Sequence, residues 1–202
     1  MKKVTRLTFN ILLLSLLMTV VQTASAQVIK FAGGHLSVLK GVKSYNIKFT
    51  YDSMLIGVST PENEYLLKKQ TDWDAKEQGK GDSFVSMWND DRKRLFEPAF
   101  IQNFEKNGLK VNDAGAQYTI ILKTKRTEGG WNAGVKRHPG VIAGEMLIVE
   151  SADESKVIVK ILFSEMSGDN KSGGDFEITL RIESAYETAG KKLGEYLGNR
   201  TK

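Results

Sequence analysis

Polar and apolar positions alternate at Tyr45, Ile47, Phe49 and Tyr51, a period of two that predicts a strand with one buried face within Leu36–Tyr51. Met54–Val58 is a second short apolar piece, and Thr60-Pro61 reads as a cap followed by proline at the first helical position. Glu64 and Lys68 stand four residues apart, which supports a helix over Pro61–Gln70. Beyond the Gly79-Lys80-Gly81-Asp82 break, Phe84, Trp88, Leu95, Phe96, Phe100 and Phe104 recur near helical spacing and predict the main packing helix. Pro98 lacks the donor that a helix interior needs, so it predicts a bend or a division there, and Gly108 a stop.

The carboxyl half predicts three strands, Tyr118–Lys125, Gly144–Glu150 and Lys156–Phe163, the last two joined as an antiparallel hairpin through Ala152–Ser155. Between the first two, the segment from Gly129 to Gly140 shows no regular period and reads as a loop. Ile182, Ala185, Ala189, Leu193 and Tyr196 then follow helical spacing, which predicts one helix over Phe176–Leu197 with Asp175 as its cap. Together these elements predict an α+β fold. A mixed or antiparallel sheet of about four to five strands is packed on one side by two main helices, in the order strand, helix, three strands, helix.

Residues 1–26 stand apart from this pattern. Lys2, Lys3 and Arg6 precede the apolar run Ile11–Met18, and Ala24-Ser25-Ala26 supplies the small-x-small pattern that a signal peptidase accepts. They are read as a cleaved signal peptide, leaving residues 27–202 as a single globular domain that begins at Gln27. The apolar run falls short of the ~20 residues that a membrane span needs, so no transmembrane anchor is expected in the mature form.

The leader changes the charge argument. The chain carries 29 Lys+Arg against 24 Asp+Glu, a balance of +5. Loss of Lys2, Lys3 and Arg6 lowers it to +2, which removes most of the case for nucleic-acid binding by bulk electrostatics. With no cysteine, the chain has no disulfide, thiolate metal site, cysteine nucleophile or lipid-bearing cysteine. An exported, cysteine-free, unlipidated chain reads as bacterial, located in the periplasm or at the cell surface.

No constellation of catalytic residues stands out. His35 and His138 are the only histidines and lie far apart, so no metal site and no cofactor are expected. Gly81-Asp82-Ser83 resembles the nucleophile block of GDS-type serine esterases, but no buried strand precedes it and no histidine follows His138, so helix capping by Asp82 or Ser83 accounts for it better. The loop Ser167–Asp175 offers oxygen ligands in an order that Lys171 breaks, and reads as a turn. Asp72, Asp74, Asp90 and Asp91 lie near Trp73 and Trp88 on what reads as one helix, the grouping of carboxylates and aromatics that sugar hydrolases use, and keep a carboxylate-dependent hydrolase as one alternative. An apolar small-ligand binder, with a pocket between sheet and helices, is another. The best recognition surface is the glycine-rich segment with Trp131, Asn132, Lys136, Arg137 and His138, since loops between strands carry function and Trp and Arg dominate binding hot spots.

The element order over Tyr45–Leu197, closing on Ala189–Leu197, resembles the small α/β domains of bacterial envelope proteins, such as the amino-terminal domain of the Tol-system propeller protein. The resemblance implies an assembly or accessory role in the envelope and carries over no catalytic residue. It departs from many of those relatives in lacking a cysteine at the mature start. The sequence therefore points to an exported, non-enzymatic binding or accessory protein whose partner is an envelope protein or ligand.

Overall fold

A computed structural model describes residues 28–133, 136–169 and 178–202. The expected signal peptide and the expected Asp175 cap, with Phe176, lie outside the described residues.

Three long strands form the centre, as their alternation requires. These are β5 (Tyr118–Glu128), β8 (Val141–Glu150) and β9 (Asp153–Ser167), and consecutive members pair antiparallel. Partners directly across an antiparallel pair share a face. The rows Ile120, Ile148, Val159 and Leu122, Met146, Ile161 therefore form one fully buried surface.

Around this centre the sheet is larger than the expected four to five strands. Val28–Gly34 is an additional strand, β1, antiparallel to β9. The strand placed within Leu36–Tyr51 shrinks to β2 (Asn46–Thr50), which runs parallel to β5, while Leu36–Leu39 is a 3-10 turn. β3 (Leu55–Ile56) also pairs parallel with β5, and β4 (Thr60–Pro61) closes a short hairpin on β3. Pro61 thus ends a strand and precedes the helix, instead of occupying its first turn. Among the described residues the result is a seven-stranded mixed sheet in an α+β fold.

The helices are α1 (Glu62–Asp74), α2 (Lys80–Asp91), α3 (Glu97–Glu105) and α4 (Ile178–Arg200). The expected division near Pro98 takes the form of a π turn over Arg92–Phe96. Pro98 has no N–H, and the chain widens by one residue just before it, the Glu97 N–H donating to the carbonyl of Arg92. α3 and α4 lie side by side on the buried sheet face. Phe100 meets Phe49 of β2 edge to face at 5.6 Å, and Phe96 stacks on Tyr186 at 5.1 Å. With Phe84, Trp88 and Phe104 also buried, aromatic rings fill the space between sheet and helices, each such side chain contributing roughly 1.5–3 kcal/mol.

The opposite face has no helix against it among the described residues, and it is curled. Lys48 of β2 and Glu154 of β9 form an ion pair although β5 and β8 lie between their strands. In a flat sheet three strand spacings would separate them by about 14 Å. Bulges in β1, β5 and β9 account for the bending.

Candidate functional site

The segment expected to be an aperiodic loop is a second, two-stranded sheet. β6 (Trp131–Ala133) and β7 (Lys136–His138) pair antiparallel, extending the β5–β8 pair beyond the main sheet. The alternation was invisible because every residue of both strands is exposed, so no apolar face marks the period. The hairpin sorts the five candidate residues. Trp131 pairs with His138 on one face, joined there by Lys136, and Asn132 pairs with Arg137 on the other. The Trp131 and His138 rings lie 4.6 Å apart, and Trp131 remains 42% exposed. Trp131 is therefore no plug for the core.

The base of the hairpin is built firmly. Arg181 of α4 donates from Nε to the carbonyl of Gly129 at 2.8 Å. Gly130 takes a positive φ of 63° where a Cβ would stand 2.2 Å from the carbonyl oxygen of His138, so only glycine fits there. A rigid root thus carries two exposed strands with aromatic and basic side chains.

The candidate carboxylates have separate structural tasks. Asp72 pairs with Lys68 at 2.6 Å on the surface of α1, and that hydrogen bond holds its carboxyl below the usual range. Asp74 accepts the N–H of Gly81 at 2.8 Å, satisfying a free donor at the start of α2. Asp90 accepts from Ser86 at 3.3 Å, and buried Asp91 pairs with Arg94. The one helix expected to carry them is in fact two. Capping by Asp82 or Ser83 is also corrected: Gly79 is the N-cap, Ser83 donates to the Gly79 carbonyl, and Asp82 accepts from Gln70.

Sequence reading missed a polar cluster beside the π turn. Glu62 accepts from Trp88 Nε1 at 2.6 Å and pairs with Arg92, whose guanidinium carbon lies 4.3 Å over the Tyr51 ring. The Tyr51 hydroxyl stands 3.4 Å from Glu97 Oε1, and Glu97 pairs with Lys93 at 3.0 Å. Deeper, the hydroxyls of Tyr186 and Thr124 lie 2.6 Å apart. Burial, followed by Tyr186 and Glu97, pushes the Tyr51 hydroxyl far above the ordinary tyrosine range. Burial also lifts Tyr186. Both hydroxyls stay protonated at neutral pH, so neither serves as a base there. Only the Lys93/Glu97 spacing of four was legible beforehand. Glu62 and Arg92 are thirty residues apart.

A cavity of about 410 Å³, lined by Tyr51, Met54, Pro61 and Glu62 among others, opens beside this cluster. Its one lining carboxylate is already engaged by Arg92 and Trp88. Among the described residues no group of three or more acidic or histidine side chains is placed to hold a metal ion, and no helix is long and apolar enough to cross a membrane.

No family model matches the chain, and no curated protein does. Among solved structures it is similar to a PelC dodecamer from Paraburkholderia phytofirmans, 11% identical, with 81% of this chain and 96% of that chain covered at a TM-score of 0.34. A point variant of that dodecamer is 13% identical over the same shares at a TM-score of 0.35. Likenesses of that size carry no argument about function.

Proposed function

We propose that this protein is exported to the periplasm or cell surface of a bacterium and acts there as a non-enzymatic binding or accessory protein, engaging an envelope partner through the β6–β7 hairpin. The observation that carries the reading is Trp131. A large aromatic ring packed at a tilt against His138, beside Lys136 and with Arg137 on the other face, is held out in solvent on a well-anchored root. Solvent-exposed tryptophan with neighbouring arginine is the composition of a binding hot spot.

Two further features support it. The leader-like residues 1–26 end in a peptidase-compatible Ala24-Ser25-Ala26. The four carboxylates of the hydrolase alternative are each occupied by a different structural partner.

The test has two parts. Protein recovered from the periplasmic fraction should begin at Gln27, and finding it in the cytoplasm with Met1 retained overturns export. A pull-down from envelope extract should recover a partner with the wild type and lose it with Trp131→Ala combined with Arg137→Ala. Equal recovery by both removes the hairpin from the reading.

A further inference from the structure

The concave face of the sheet carries a second recognition feature, independent of the hairpin. A cavity of about 380 Å³ lies there, lined by Val28 and Lys30 of β1, Lys125 of β5, Glu145 of β8, and Leu162 and Ser164 of β9. Its size falls within the roughly 300–1,000 Å³ of small-ligand pockets. The floor is apolar and accessible, with Val28 47% and Leu162 37% exposed. Val28 and Leu162, on adjacent strands and diagonal to one another on this face, are two aliphatic side chains left in water.

The charges around this floor are unequal. Glu145, the one lining carboxylate, lies between Lys160 at 2.5 Å and Lys123 at 3.9 Å, so its charge is already answered twice. Lys30 makes no ion pair among the described residues. Lys125 donates only to the backbone carbonyl of Asp52, at 3.3 Å. The pocket therefore presents an apolar floor between two ammonium groups that lack a carboxylate partner.

We infer that this pocket binds a single-chain amphiphile with an anionic head, its chain along the floor at Val28 and Leu162 and its head toward Lys125, with Lys30 a second cation at the opposite rim. The apolar chain supplies burial, and the head supplies the missing countercharge. A cationic amphiphile of equal chain length would meet the two ammonium groups unfavourably.

The experiment uses protein purified from the producing cell and three probes below their micellar concentrations: dodecanoate, dodecyltrimethylammonium and acetate. Calorimetric titration should show saturable 1:1 binding of dodecanoate, at least tenfold weaker binding of the cationic amphiphile, and none of acetate. Lys30→Glu combined with Lys125→Glu should weaken dodecanoate about tenfold, the sum expected of two partly exposed charge contacts, and Leu162→Asn should weaken both amphiphiles. If circular dichroism shows the charge-reversed chain unfolded, Lys30→Gln with Lys125→Gln is read in its place. Equal affinity for the two amphiphiles, indifference to the lysine changes, or no saturable binding each overturns the inference, whatever becomes of the hairpin.

Discussion

Gly190 of α4 meets the carbonyl of Phe100 in α3 so closely that a Cβ at position 190 would stand 2.2 Å from that oxygen. One turn later Gly194 approaches Phe104 in the same way, with a Cβ there 2.8 Å from the Phe104 carbonyl oxygen. Two small residues four apart let the helix backbones touch. Gly190→Ala should therefore force the helices apart and lower stability by about 1–3 kcal/mol. Thermal melts check this, with a Tm drop of roughly 2–4 °C per kcal/mol at this chain length. Gly115→Ala, where the nearest atom is 3.4 Å away, is the comparison and should leave Tm nearly unchanged.

The Glu62 and Arg92 pair ties the start of α1 to the π turn, with both side chains mostly shielded from water. Arg92→Met and Glu62→Gln should each be destabilising, and a double-mutant cycle by urea denaturation should give a coupling of about 1–3 kcal/mol. A coupling near zero would place the pair in effective contact with solvent.

The buried tyrosines predict alkaline sensitivity. Burial raises Tyr45 to about 12, from 10.0, with Tyr118 adding to the effect. Above pH 10 the unfolded chain releases a proton that the folded chain keeps, so stability is full below that value and falls as pH rises toward 12. Each such group removes up to about 1.4 kcal/mol per pH unit, and Tyr51 and Tyr186 are shifted in the same direction. Urea midpoints measured from pH 7 to 12 should fall beyond pH 10. In Tyr45→Phe the fall should be shallower. Because the Tyr45 hydroxyl is buried without a hydrogen-bond partner, that variant should be at least as stable as wild type at neutral pH.

Trp131→Ala should separate surface recognition from folding. The ring is exposed on a hairpin outside the core, so its removal should change stability by less than about 0.5 kcal/mol. Trp88→Ala, in contrast, should cost about 3–5 kcal/mol, since Trp88 is buried and donates to Glu62. Guanidinium melts of the two variants check the contrast.

The central strands were legible because apolar residues such as Ile120 and Leu122 or Met146 and Ile148 recur at every second position, and the packing helices because Phe84, Trp88, Phe100 and Phe104 keep helical spacing. β1 escaped notice for the opposite reason. It is an edge strand with most residues exposed, interrupted by Gly33 and Gly34, so no face is marked by apolar residues. Leu36–Leu39 is apolar enough to suggest extension, yet it turns, ending at Gly41 with a φ of 80°. The β6–β7 residues stood out by composition, while their pairing was not legible, since no apolar face marks it. The Glu62 cluster and the concave pocket are products of tertiary approach between distant strands and helices. No local spacing encodes Lys30 and Lys125 on the rim of one cavity.

The pairing of β1 sets an order on the birth of the molecule. Val28–Gly34 finds its partner only at residues 159–164, so about four fifths of the 202 residues must be synthesised before the first strand has anywhere to dock. A nascent chain of this protein keeps its leading end unzipped until nearly the last helix is made, and closing that long loop is an intrinsically slow step.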